Sequence, residues 1–333
     1  MRKTSKHTAW PLGAQFLSRR GFIGSGTALA LAPPALAQTL APPPPGAPVD
    51  DAARIAAEDD AAEHMTVPVM IAGKGPFRFV VDTGADRSVI ADDLAMRLGL
   101  VKGDDVTVQG VVRSYVSRFV AVADLRFGSV EKRNLSLPIL PRSFMRADGY
   151  LGLDAIDGSR VTLDFKSRSL QISHGRPSSA YFITRPQEIA VSVRGSMGHL
   201  RALNCRVEEV PATCFLDTGA QVSCGNSRLL SALVDQDPDI TMIGTVPVTG
   251  VTGGVLMAKV VRVRHIRLHG VTFSDAVIAI ADMQIFDVWG LSREPALLIG
   301  MNFLRQFARV SIDYGVKEIR FDLASMVMAR SEM

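Results

Sequence analysis

The chain has 333 residues, 47% of them hydrophobic and 21% charged. That is enough apolar material for two domains with their own cores, and it excludes a disordered or fibrous chain. The formal net charge of +4 is no argument for nucleic acid or an anionic surface: Arg2, Lys3, Lys6, Arg19 and Arg20 lie in an acid-free first stretch, and beyond it 32 basic residues face 33 acidic ones.

Residues 1–37 read as a removable leader. Ser18-Arg19-Arg20-Gly21-Phe22-Ile23 resembles a twin-arginine export signal. A mild apolar stretch follows, and Ala35-Leu36-Ala37 suits a signal peptidase. Pro33-Pro34 breaks the stretch, so no stable membrane span is expected after signal removal. This route carries proteins already folded, which implies a periplasmic or secreted destination. Residues 38–64 read as a Pro/Ala-rich linker: Pro42 to Pro45 extended and stiff, residues 50–63 a loose helix.

A first lobe is expected over 65–173. Strands over 66–72 and 76–81 form a hairpin around Gly73-Lys74-Gly75 and lead to Asp82. Residues 91–98 have helical spacing, with Gly99 as a stop. Strands over 106–112 and 118–127 flank a hairpin tip at 110–117, and 134–140 is a further strand. Tyr150-Leu151-Gly152 brings an apolar pair up to a glycine, and 161–165 with 169–172 close the lobe. Gly and Pro at 173–179 mark a boundary. A second lobe over 180–325 repeats the order. Strands cover 189–193, 200–207 and 213–216 and lead to Asp217. A helix over 227–234 and a hairpin, 247–251 with 255–268, follow. Leu298-Ile299-Gly300 and a closing strand over 310–314 complete the copy. The Asp-Thr-Gly-Ala blocks are 135 positions apart, the glycines 148 and the closing strands 149. Matched order with a slowly growing offset is a duplicated domain with loop insertions, not a solenoid.

The chemistry lies in the duplicated block. Phe79-Val80-Val81-Asp82-Thr83-Gly84-Ala85 and Phe215-Leu216-Asp217-Thr218-Gly219-Ala220 each drive an apolar strand into an acid. A carboxylate at the end of a buried strand is costly unless paired, hydrogen-bonded or protonated. Thr offers a local hydroxyl, and Gly permits a sharp turn. Two carboxylates brought together cannot both ionise cheaply, so they share a proton. That suits them to activate water and polarise a carbonyl.

Asp82 to Ile90 resembles the active-site loop of retropepsins, the retroviral-type aspartic proteases. The chain supplies both halves, as bilobal pepsin-like enzymes do. The resemblance implies a mainly β fold of two tandem acid-protease lobes related by a pseudo-two-fold axis. It also implies a monomeric aspartic endopeptidase acting on a peptide or protein substrate, with no cofactor and no metal. Asp82 and Asp217 then form the catalytic dyad, and Thr83, Gly84, Thr218 and Gly219 support the loops. Ala85, Asp86, Ala220 and Gln221 bind substrate, together with Gly110 and Gly250 on two hairpins that act as flaps. Ser88 and Ser223 steady the loops from behind. Asp86 matches the family's acid after the loop, whereas Gln221 departs from it, so the two cleft walls are expected to differ.

Other chemistries have little support. His265 and His269 are four apart, but on an alternating strand rather than a helix. No His-Glu-x-x-His, Cys-x-x-Cys or Walker-type loop occurs. The competing readings are a peptide-binding module without catalysis and a cofactor-loaded redox protein, the latter suggested only by the export signal. Glu208-Glu209-Val210-Pro211 reads as a turn. With Glu209 and Val210 at its tip, Cys205 and Cys214 face each other. They either pair after export or stay as two reduced buried thiols, with Cys224 free.

Overall fold

The computed structural model describes residues 9–11, 14–16, 52–56, 58–59, 65–128, 130–174, 188–196, 199–268 and 271–323. The fold is mainly β, in two lobes that repeat one strand order. The first runs Lys102–Gln109, Ser114–Phe127, Val130–Leu140, Val89–Ala91, Gly149–Leu151, Lys74–Val81, Met65–Ile71. The last strand pairs back onto Ser114–Phe127 and closes a barrel. The second runs Met242–Gly250, Val255–Leu268, Val271–Ile280, Cys224–Gly225, Ala296–Ile299, Val210–Leu216, His199–Val207, with the same return onto Val255–Leu268.

Local sequence explains the elements around the site. In Met65–Ile71 the alternate residues Met65, Val67, Val69 and Ile71 are all buried. Phe79, Val80 and Val81 have a strand on each side and are buried on both faces, hence their unbroken apolar run. The helix Asp92–Arg97 stops at Gly99, whose φ of +68° is the left-handed cap that glycine takes without strain. The helix Ser227–Gln236 starts at Asn226, whose side chain accepts from the Leu229 N–H.

A third sheet joins the lobes. Its order is Glu188–Ser196, Glu318–Asp322, Arg309–Asp313, Ser159–Asp164, Ser169–His174, Ala52–Ala56. At its centre Thr162 lies opposite Ser311, their hydroxyls 3.0 Å apart. On either side Arg160 pairs with Asp313 at 2.7 Å, and Arg309 with Asp164 at 2.9 Å. These pairs exchange under the pseudo-two-fold axis. Beneath them Val161, Leu163, Val310 and Ile312 are buried in one apolar cluster that continues into both lobes.

The structure differs from expectation in several elements. Residues 50–63 were expected as a loose helix, yet Ala52–Ala56 and Glu58–Asp59 are strands. They pair with Ser169–His174 and Met65–Ile71. Open sheet edges outweigh the modest helix propensity of an Ala-rich run. The first flap hairpin is tighter than 110–117, because Gln109 already pairs with Ser114 and the Gly110 N–H bonds the Arg113 carbonyl at 3.1 Å. The strand Val271–Ile280 and the helix Gln284–Val288 are additional to those expected. The twin-arginine and signal-peptidase motifs, residues 18–23 and 35–37, lie outside the described residues, as do most of the lobe boundary and His269. No helix among the described residues is long and apolar enough to cross a membrane.

Candidate active site

Strands Lys74–Val81 and Val210–Leu216 each end at an acid that the fold buries completely: Asp82 and Asp217 are both 0% exposed. Each carboxylate accepts from the N–H two residues on, Gly84 to Asp82 at 2.9 Å and Gly219 to Asp217 at 2.7 Å. Each also lies against the glycine of the other loop. A methyl added to Gly84 would stand 2.7 Å from the Asp217 Cγ. One added to Gly219 would stand 2.6 Å from the Asp82 Cγ. Only glycine permits this mutual approach, which brings together two acids 135 positions apart. Burying two unsupported carboxylates would cost several kcal/mol each, so the shared burial and the donated N–H groups are a deliberate arrangement.

The threonines lock the loops across the lobe interface. The Thr83 N–H donates to the Thr218 hydroxyl and the Thr218 N–H to the Thr83 hydroxyl, both at 3.1 Å. The Thr83 hydroxyl donates to the Leu216 carbonyl at 3.2 Å, and that of Thr218 to the Val81 carbonyl at 2.6 Å. These four hydrogen bonds run from lobe to lobe between buried groups, each worth about 1 kcal/mol net and more if broken singly.

Behind each loop stands a serine. Ser88 Oγ accepts from the Gly152 N–H at 3.0 Å and donates to Asp154 at 2.6 Å. Ser223 Oγ accepts from the Gly300 N–H and donates to Asn302, both at 2.9 Å. Ala85 and Ala220 are buried, and their carbonyls accept from Leu153 and Met301, each at 2.8 Å. Asp86 and Gln221 are half-buried and accept through their carbonyls from Asp154 and Asn302. Asp154 and Asn302 went unnoticed in the sequence, although each stands two residues after a repeated glycine, at the same offset of 148. Tyr314 was also missed. It is buried, at the end of the repeated closing segment 310–314, and burial together with the charges of Asp82, Asp157 and Asp217 pushes the ionisation of its hydroxyl up.

The two flap tips meet. Gly110 sits where any Cβ would collide with the Thr252 hydroxyl, and Gly250 where one would press on Val111. The Thr252 hydroxyl donates to the Arg113 carbonyl at 2.6 Å, and Arg113 Nε donates back to the Thr252 carbonyl at 3.0 Å. Val111 of the first lobe is buried in an apolar cluster of the second, with Phe215 and Val248. Tyr115 meets Phe144 edge-on at 5.7 Å, and the Arg113 guanidinium lies over the same ring at 5.8 Å. From the second lobe, Gln284 donates to Gln109 and Ser114 at 2.6 and 2.7 Å. Among the described residues no group of three or more His, Cys, Asp or Glu side chains could hold a metal.

A family model described as aspartyl protease matches residues 67–155 and again residues 203–303. The chain belongs to the aspartyl protease family. The two matched stretches are the two lobes, and each contains one of the buried acids, so the internal duplication is a duplication of the family domain. No curated protein matches the chain.

Proposed function

We propose that the chain is an aspartic endopeptidase with a single dyad, Asp82 and Asp217, formed within one monomer. The observation that carries this reading is the reciprocal seating of each carboxylate against the other loop's glycine. In the proposed reaction one carboxylate is ionised and takes a proton from a water molecule. The water oxygen attacks the scissile carbonyl, whose oxygen receives the proton of the second carboxyl. The tetrahedral intermediate then collapses, with a proton passing to the departing amine. Thr83, Gly84, Thr218 and Gly219 hold the loops. Ala85, Asp86, Ala220, Gln221, Gly110 and Gly250 border the peptide. A periplasmic or secreted site of action, reached by twin-arginine export, belongs to the same reading.

Asp82→Asn and Asp217→Asn, each alone, are expected to lower hydrolysis of a peptide library at mildly acidic pH by at least about a thousandfold. Normal hydrolysis by either variant in the presence of a chelator overturns the dyad. Activity restored by mixing the two variants overturns the single-chain site, because only a site shared between chains would then be intact.

A further inference from the structure

The two flap tips are built unequally. Aligned on their leading glycines, the first reads Gly110-Val111-Val112-Arg113 and the second Gly250-Val251-Thr252-Gly253, followed by Gly254. One tip ends in a cation, the other in two residues without side chains. The second tip makes room for the first. A Cβ on Gly253 would stand 2.6 Å from the Arg113 Nη2 and 2.9 Å from the Phe144 ring. One on Gly254 would stand 3.3 Å from the Arg113 Cδ. Both glycines take left-handed φ values, +79° and +87°, which a residue with a side chain rarely adopts.

The Arg113 head is fixed in place, yet most of its donors are uncommitted. Nε donates to the Thr252 carbonyl at 3.0 Å, and the guanidinium lies over the Phe144 ring at 5.8 Å. Among the described residues neither Nη group has a hydrogen-bond partner, and no carboxylate forms an ion pair with it. Arg142, two residues before Phe144, is by contrast consumed by Asp93 at 2.9 Å and Asp148 at 2.6 Å. Arg113 is exposed, so its Nη groups are open to an arriving ligand. Its flap tip is tied to the dyad region: Val111 shares an apolar cluster with Phe215 and Ala220, which flank Asp217. Phe144 belongs to the first lobe and seats the cation on that side.

We infer that Arg113 is a specificity-determining residue: its Nη groups receive a carboxylate of the peptide on the first-lobe side of the scissile bond. This rests on the protease reading of the site and names its substrate class, peptides with an acidic group near the cut. Guanidinium and carboxylate match as two planar forks. A head already held by the Thr252 carbonyl and an aromatic face loses less freedom on pairing than a mobile one. The second flap has Gly253 in the corresponding place, so the preference is one-sided. An Asp or Glu side chain and a chain-terminal carboxylate offer the same fork, and the test separates them.

The test uses full-length chains: the parent, Arg113→Gln, Arg113→Lys and Arg113→Glu. Each digests a random peptide library at about pH 5, where substrate carboxylates are still largely ionised, and mass spectrometry reads the cut sites. One library has blocked ends and a second has free C-termini. The parent is expected to favour Asp or Glu over Asn or Gln about fivefold at one fixed position. Arg113→Lys should keep part of that preference, Arg113→Gln should lose it, and Arg113→Glu should turn it towards Lys and Arg. A preference confined to free C-termini assigns the carboxylate to the peptide's end. No acidic preference in the parent, or the same preference in Arg113→Gln, overturns the inference. A uniform fall at all sites in Arg113→Gln reduces Arg113 to a flap latch and overturns it too. If no chain cuts anything, the protease reading has failed, and binding decides. Fluorescein-labelled, end-blocked short peptides differing only in one central Glu or Gln are titrated against Asp82→Asn and followed by polarisation. The Glu peptide should bind about fivefold tighter, a gap lost when Arg113→Gln is added. Equal affinity, or no binding of either, overturns the inference.

Discussion

Asp154 and Asn302 hold the same place in the two lobes, each accepting the N–H and the hydroxyl of a serine. Burial pushes the Asp154 carboxyl above its ordinary range, and the Ser88 hydrogen bonds only partly oppose this. A carboxyl raised in the folded state costs stability as pH rises through its unfolded value towards its folded one. Asparagine is the permanently neutral equivalent, already used in lobe two. Asp154→Asn is therefore expected to fold normally, with a Tm at pH 7 equal to or above that of the parent. A Tm at pH 7 clearly below that of the parent would show that the charge is needed. Tyr314 poses a related case: its hydroxyl is buried without a hydrogen-bond partner among the described residues. Tyr314→Phe removes that unpaired group and should gain about 1 kcal/mol, read as a rise in the denaturant midpoint. A loss of stability would mean that the hydroxyl has a partner in solution.

The hairpin His199–Val207 with Val210–Leu216 shows how an element departs from its sequence reading while its covalent link survives. The structure joins Cys205 to Cys214 and leaves Cys224 buried and free. The register differs: Val207 pairs with Val210, so Glu208 and Glu209 form the tip, and Cys205 lies opposite Ala212. A register shift between Ala202 and Cys205, with Asn204 at a φ of 58°, accompanies the link. Counting outward from an assumed tip cannot detect such an irregularity. Replacing both Cys205 and Cys214 by Ser should cost about 2–3 kcal/mol, from the chain entropy of so short a loop, measured by urea unfolding with and without reductant. Reductant sensitivity that persists in the double variant would refute the link. Burial pushes the Cys224 thiol up to about 12, so it should resist alkylation until the protein unfolds. The missed strand Val271–Ile280 has a similar cause, since Asp275 takes a φ of 51° and interrupts the alternation that marks a strand.

At the scale of the molecule, the two lobes are one folding unit. They share the central sheet, the threonine lock and a continuous core, so separate unfolding of the halves is not expected. The junction has a pH limit. Burial would raise the Asp164 carboxyl, but the Ser167 N–H, the Arg309 guanidinium and the Ser167 hydroxyl together hold it below its ordinary range. A depressed carboxyl contributes stability that is present above its unfolded value, near 3.8, and is lost as pH falls through its folded value. The Tm of the parent should therefore fall on acidification below about pH 4. Asp164→Asn should be less stable at neutral pH and show a shallower acid decline. Parallel pH profiles for the two proteins would remove Asp164 from the acid response.

The sequence by itself determined the duplication, the mainly β class and the pair of acid-bearing loops. Each is a local pattern: an apolar run ending at Asp-Thr-Gly-Ala, then a repeated apolar-apolar-Gly. Local patterns survive because the same backbone turn needs the same residues wherever it occurs. Tertiary structure alone decided that Asp82 lies against Gly219 and Asp217 against Gly84, that Arg113 and Thr252 hold the flap tips together, and that Arg160 and Arg309 exchange partners across the axis. It also decided that Ala9–Pro11 and Ala14–Phe16 pair with the edges of Lys102–Gln109 and Met242–Gly250. These are contacts between residues 98 or more positions apart. They depend on how two closed sheets meet, a geometry that no single stretch of the chain encodes.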